Sequence, residues 1–136
     1  MTGPFADAFY FIALLSPNDA AHPATVEFTD RFDGRLLTTA WVLTELADGL
    51  CAPGSRQKVC DFIRYLRSDP QVEIVAPSQE LFDEGLSLYE SRGDKAWSLT
   101  DCISFVVMTE QKISDALTGD RHFEQAGFRA LLQQDS

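Results

Sequence analysis

Hydrophobic and polar positions alternate along this chain in two different rhythms. Short apolar runs with strand character are separated by longer stretches with helical spacing, and Pro, Gly, Asn and Asp punctuate the joins. Gly3–Asp7 reads as a weak opening strand carried by Phe5 and Ala6, and Ala8–Ser16 as a buried helix. Pro23–Phe32 reads as a helix with Pro23 in its first turn. Arg35–Thr39 follows as a strand, then Ala40–Cys51 and Ser55–Ser68 as helices, the second capped by Ser55. Val72–Ala76 is a short strand. Ser78–Arg92 is an amphipathic helix whose apolar face is predicted to hold Leu81, Phe82, Leu86 and Tyr89. Ser98–Lys112 is a helix opened by Ser98, Asp115–Thr118 a strand, Arg121–Gln125 a short helix, and Phe128–Leu132 a closing strand.

Strands that alternate with helices predict an α/β fold with a mainly parallel sheet of four to five strands and helices on both faces. No internal stretch is long enough to serve as an interdomain linker, so residues 1–136 are expected to form a single domain. Sites in such folds form outside the carboxyl ends of the strands, near the point where the strand order reverses. Residues just after strands and at the starts of helices are therefore the ones to inspect.

Composition narrows the function. Hydrophobic residues make up 45% of the chain and charged ones 24%, which excludes a disordered or low-complexity chain. The net charge of −10 excludes a broad basic face for nucleic acid, but not one acidic spot loaded with metal. Cys51, Cys60 and Cys102 lack any C-x-x-C spacing, which suits reduced thiols. His22 and His122 lie too far apart in sequence to form a two-histidine metal motif. The longest apolar run, Ala8–Leu15, falls far short of the ~20 residues of a membrane helix. The segment around it carries Asp7 and no Lys or Arg, unlike a secretory signal. A cytoplasmic protein without a membrane anchor is expected.

Four carboxylates stand out. Asp7 ends the first strand and precedes an apolar run. It either caps the next helix or is buried, and a buried unpaired carboxylate needs a cation. Glu45 lies on the helical side shared by Trp41, Val42 and Gly49, at the border of the apolar face. Asp101 shares a stripe with Phe105 and Met108, and with Ser98 it also makes a capping-box pattern. Asp120 follows the fourth strand across Gly119, where a turn role is the competing reading. Asp115 begins that strand, ~16–17 Å from Asp120 at ~3.3 Å per residue, and belongs to the opposite end of the sheet. Each acid has a structural explanation of its own, yet all four map to one edge of the same sheet. Clustered carboxylates repel, and Mg²⁺ or Mn²⁺ bound by oxygen ligands relieves the repulsion. With no placed nucleophile, metal-assisted hydrolysis is the chemistry they support, with one or two ions.

These residues resemble the PIN domains, and among them the VapC-like toxins of bacterial toxin–antitoxin pairs. The matching pieces are Phe5-Ala6-Asp7-Ala8-Phe9-Tyr10-Phe11-Ile12-Ala13-Leu14, Thr44-Glu45-Leu46, Asp94 to Phe105, and Leu117-Thr118-Gly119-Asp120-Arg121-His122-Phe123 with Gly127-Phe128. The last two pieces are the specific ones, and together the four span nearly the whole chain. The resemblance implies an α/β/α sandwich and Mg²⁺- or Mn²⁺-dependent endoribonuclease activity. It implies an acidic site of Asp7, Glu45, Asp101 and Asp120. Asp7 and Asp101 would be direct metal ligands, Glu45 and Asp120 would complete the site, and Thr118 would orient a ligand. It further implies an RNA substrate, an antitoxin partner with a basic segment, and a homodimer. Ala8 departs from the pattern, because the family often carries Thr or Ser after its first Asp. The missing hydroxyl bears on metal affinity or activity, not on the fold.

Two other readings compete. A non-catalytic PIN-like module binding RNA or protein is motivated by Ala8 and the strong acidity. The phospho-acceptor and phosphatase α/β folds also place an Asp after the first strand. They need a second Asp at position 9, which is Phe, or a Lys after the last strand, and none follows Leu131. For substrate RNA, the nearby cations are Arg92, Lys95, Arg121 and His122, each equally readable as solvated surface charge.

Overall fold

The computed structural model describes residues 3–133. Five strands, β1 (Phe5–Ala6), β2 (Leu36–Thr39), β3 (Val72–Val75), β4 (Asp115–Leu117) and β5 (Arg129–Ala130), form one sheet in the order β3-β2-β1-β4-β5. Every pairing is parallel, with Phe5 opposite both Leu37 and Ala116. The expected α/β architecture is therefore present. The connecting helices are α1 (Ala8–Leu15), α2 (His22–Arg31), α3 (Ala40–Gly49), α4 (Arg56–Ser68), α5 (Gln79–Ser91), α6 (Leu99–Glu110) and α7 (Arg121–Gln125). Among the described residues none is long and apolar enough to cross a membrane.

The strand order carries the functional geometry. The chain starts in the middle strand, builds β2 and β3 outward to one side, then crosses back to build β4 and β5 on the other. Right-handed crossovers make those two directions put their helices on opposite faces. Helix α1 packs on α2 and α3, and α3 on α4, while α6 packs on α5 and α7 and also meets α3. The reversal falls between β1 and β4, so the crevice at their carboxyl ends opens there.

The core is apolar where the strands and α6 meet. Phe5, Phe11, Leu37, Leu46, Met108, Leu117 and Phe123 are fully buried, and Phe105 sits edge-on to both Trp97 and Phe123. Helix α6 is buried along most of its length, from Asp101 to Met108. Cys51, Cys60 and Cys102 are all free thiols, as the odd count without C-x-x-C spacing predicts.

Local signals place most boundaries within two residues, with three differences. The first strand covers only Phe5 and Ala6 instead of Gly3–Asp7, so Asp7 stands in the joint between β1 and α1. Ser55 is not a side-chain cap. Its backbone is already helical, because the Ala52–Ser55 turn leads straight into α4 and leaves the hydroxyl unused there.

The third difference concerns α5. Its partly buried and buried row is Leu81, Gly85 and Leu88, whereas Phe82, Leu86 and Tyr89 are exposed. Both rows have the i, i+4, i+7 spacing of a helix face, so sequence pattern alone does not choose between them. Gly85 chooses. A Cβ placed there would fall inside the Ile103 side chain, so α5 and α6 approach closely through the glycine row.

Candidate functional site

The carboxyl ends of β1 and β4 lie side by side because Phe5 pairs with Ala116 and Ala6 with Leu117. Asp7 follows β1, and Thr118, Gly119 and Asp120 follow β4. Helix α6 brings Asp101 from its first turn, and α3 brings Glu45 from its second. Gly119 keeps this corner open, since a Cβ there would stand 2.5 Å from the Phe9 ring.

Asp7 is 4% exposed. It occupies the cap position of α1 but makes no side-chain cap hydrogen bond. Its Oδ2 instead accepts from the Thr118 hydroxyl at 2.9 Å, and its buried Oδ1 has no hydrogen-bond partner. No Lys or Arg makes an ion pair with it among the described residues, so the cation that its burial calls for does not come from the protein. Burial holds its carboxyl up at about 7; the Thr118 hydrogen bond opposes this, and Glu45 and Asp101 add to it.

Asp101 performs both roles its sequence position allows. Its Oδ2 accepts from the Ser98 amide at 3.1 Å, while its own amide donates to Ser98 Oγ at 2.9 Å, completing a capping box. The carboxylate is also buried and faces its neighbours. Burial raises its pKa and Asp120 adds to this, against the hydrogen bonds to Ser98 and His122. Asp120 likewise serves locally, its Oδ1 capping α7 by accepting from the His122 amide at 2.9 Å. Glu45 has no hydrogen bond or ion pair among the described residues. Burial raises its pKa first, then the charges of Asp101 and Asp120.

Each of the four acids thus feels at least one of the others. The tightest group, however, is Asp101, Asp120 and His122, whose ligand atoms lie within 4.8 Å of one another. His122 Nδ1 stands 3.1 Å from Asp101 Oδ2 and 3.3 Å from Asp120 Oδ1. The sequence carries no histidine-based metal motif, yet one histidine stands in a group that could hold a metal ion. Sequence spacing excluded a pair of histidines, but one histidine joins two aspartates across 21 residues, because α6 and α7 pack together. Its only sequence signal is proximity to Asp120 in the Asp-Arg-His order.

The cations expected near the site divide. Arg92 is committed to Asp94 through two hydrogen bonds of 3.0 and 3.1 Å, and its guanidinium lies 5.0 Å from the Trp97 ring centroid. Lys95 stands 3.9 Å from the same Asp94. Arg121 is exposed beside Asp120 and makes no ion pair among the described residues. Asp115, set apart on strand length, holds Arg129 at 3.0 Å at the start of β4.

The donor set fits a divalent cation. It offers carboxylate oxygens with one imidazole and an orphaned buried oxygen on Asp7, and among the described residues no Lys or Arg makes an ion pair with Asp7. Asp101, Asp120 and His122 converge closely enough to hold it; Asp7 and Glu45 stand outside that group and are linked to Asp101 through charge.

Comparison with known proteins agrees with this architecture. The family model described as PIN domain matches residues 5–129. Among solved structures, the Mycobacterium tuberculosis VapC20, a Sarcin-Ricin loop cleaving toxin, superposes with a TM-score of 0.85 at 22% sequence identity. The match covers 96% of this chain and 99% of that one. No curated protein matches the chain.

Proposed function

Since the chain belongs to the PIN domain family, we propose that it is a metal-dependent endoribonuclease, the toxin of a toxin–antitoxin pair acting in the cytoplasm. The observation that carries this reading is Asp7. A carboxylate is buried at the carboxyl end of the central strand with one oxygen unpartnered, near the charges of Glu45 and Asp101 and, among the described residues, without a Lys or Arg partner. Retaining a proton or binding a cation relieves that arrangement near neutral pH, and the cation does so with the site ionised.

In this reading Asp7 and Asp101 hold a Mg²⁺ or Mn²⁺ ion directly, and Glu45 and Asp120 complete the site. The bound metal supplies Lewis-acid activation of water and of the scissile phosphate. Thr118 fixes the Asp7 carboxylate and, by accepting the Asp120 amide at 3.0 Å, sets the direction in which the chain leaves β4. Glu45, unbonded and with a raised pKa, is the group placed to take a proton from the attacking water. Arg121 is the exposed cation at the mouth that meets the RNA backbone, because Arg92 and Lys95 are drawn to Asp94.

The partner follows from charge. A net −10 repels RNA over most of the surface and attracts a basic antitoxin segment. The exposed Phe82, Leu86 and Tyr89 row supports a homodimer, read by the oligomeric state in solution.

RNA cleavage tests the proposal, with Mg²⁺ or Mn²⁺ and ribosomal RNA among the substrates. Wild type is expected to cut, and Asp7→Asn and Asp101→Asn to lose activity by 100-fold or more, roughly the loss of a general acid-base or metal-holding group. Equal cleavage by all three proteins overturns it. Absence of Mn²⁺ binding at millimolar concentration would favour a non-catalytic module, the reading that Ala8 motivates.

A further inference from the structure

We infer that the imidazole Nδ1 of His122 is a direct ligand of the divalent metal, and that it biases the site away from Mg²⁺ toward transition ions such as Mn²⁺. The inference rests on the metal-nuclease reading and adds a nitrogen to its oxygen ligands.

The argument starts from spacing. Two ligands at right angles on an ion with bonds of ~2.1–2.2 Å stand about 3.0–3.1 Å apart. His122 Nδ1 is 3.1 Å from Asp101 Oδ2 and 3.3 Å from Asp120 Oδ1, so it stands near the separation of an adjacent octahedral ligand from each carboxylate, and the group as a whole lies within 4.8 Å. With its proton on Nδ1 the imidazole donates to Asp101; with it on Nε2 the same three atoms offer lone pairs that a divalent ion can accept.

The backbone that carries the imidazole is also held in place. The His122 amide is bonded to Asp120 Oδ1 at 2.9 Å, and the next residue, Phe123, is fully buried against Phe5 and Phe105. Helix α7 is closed at its far end by the Phe128 amide on the Phe123 carbonyl at 3.0 Å and the Gly127 amide on Glu124, with Gly127 at φ +98°. A second, independent mark of a cation is the orphaned Oδ1 of Asp7, at the carboxyl end of β1, which pairs with the strand leading to Asp120 and α7. Mg²⁺ prefers an all-oxygen octahedron and dehydrates reluctantly, whereas later divalent ions accept imidazole readily. One nitrogen in this set therefore costs Mg²⁺ more than Mn²⁺.

The experiment is pulsed electron paramagnetic resonance of the Mn²⁺-loaded full chain, with calorimetric titration of Mn²⁺ and Mg²⁺. Wild type is expected to show ¹⁴N modulation of imidazole size, lost in His122→Ala and in His122→Asn. The ratio of Mn²⁺ to Mg²⁺ affinity should fall about 10-fold in both variants, the lower end of what a change in ligand support costs. Mn²⁺ binding by wild type without that ¹⁴N signal overturns the inference and leaves the nuclease reading standing. So does a wild-type affinity ratio in His122→Asn, which would make the side chain a hydrogen-bonding positioner. No Mn²⁺ binding by wild type overturns both together. Circular dichroism melting of each variant separates these outcomes from misfolding.

Discussion

The Thr118 hydroxyl donates to Asp7 Oδ2 at 2.9 Å, joining residues 111 positions apart in sequence. Thr118 Oγ1 in turn accepts the Asp120 amide, so one buried side chain fixes a carboxylate from β1 and the backbone leading to a second after β4. This link takes on weight because Ala8 lacks the hydroxyl that the family often places beside its first Asp. Thr118→Val keeps the shape and removes the donor. Metal affinity is expected to fall ~10–100-fold, with Thr118→Ser restoring most of it. Titration calorimetry of the three proteins checks this, and equal affinities would remove Thr118 from the site.

Asp7 also sets a pH dependence. Its folded-state pKa of about 7 lies above the ordinary 3.8, so the folded protein retains a proton that the unfolded chain has released. The stability this contributes is fully present below pH ~4 and is lost as pH rises to about 7. The loss is on the order of 4 kcal/mol, from roughly 1.4 kcal/mol per pH unit. The raised values of Asp101 and Glu45 act with the same sign. In chelator at pH 8, Asp7→Asn is therefore expected to melt higher than wild type while losing activity. Adding Mn²⁺ should raise the wild-type melting temperature and leave the variant nearly unchanged. A variant less stable than wild type at pH 8 in chelator contradicts this account.

Lys112 has φ +58° at the end of α6. The Ile113 amide bonds the Met108 carbonyl at 2.9 Å and the Lys112 amide bonds Thr109, the closure that glycine makes at lowest cost. Lys112→Gly should stabilise the protein by about 1 kcal/mol, since Lys pays for its Cβ in the left-handed region. Lys112→Ala should gain far less. Denaturant midpoints measured on both variants distinguish the backbone effect from loss of the charge.

Gly85 lets α5 and α6 meet. A Cβ there would fall within the Ile103 side chain and stand 3.3 Å from the Ile103 Cα. Gly85→Ala gains up to ~1 kcal/mol of helix propensity but forces the helices apart. Overpacking of this kind costs roughly 1–3 kcal/mol, so the net change should be destabilising. Pairing it with Ile103→Val, which trims the opposing side chain, should recover part of the loss in urea unfolding.

Much of this molecule is written in local sequence. The alternation of short apolar runs with helical spacing is a property of neighbouring residues, and it fixed five strand positions and the α/β class. Ser98 and Asp101 are three residues apart, so their capping box was readable directly, and the box was then found complete. Strand ends also pointed to the four acids, because sites in parallel sheets gather at carboxyl ends. Tertiary structure decided what depends on residues far apart in the chain. The β1–β4 pairing left Asp7 with Thr118 as partner instead of a helix cap, and it left Oδ1 alone. The packing of α7 on α6 carried His122 into the carboxylates. Gly85 chose which of two equally spaced rows on α5 turned inward, and Arg92 came to pair with Asp94. The physical reason is one of range. Helix periodicity and capping act within four residues, whereas a carboxylate's burial and its hydrogen-bond partners are set by which strands and helices become neighbours.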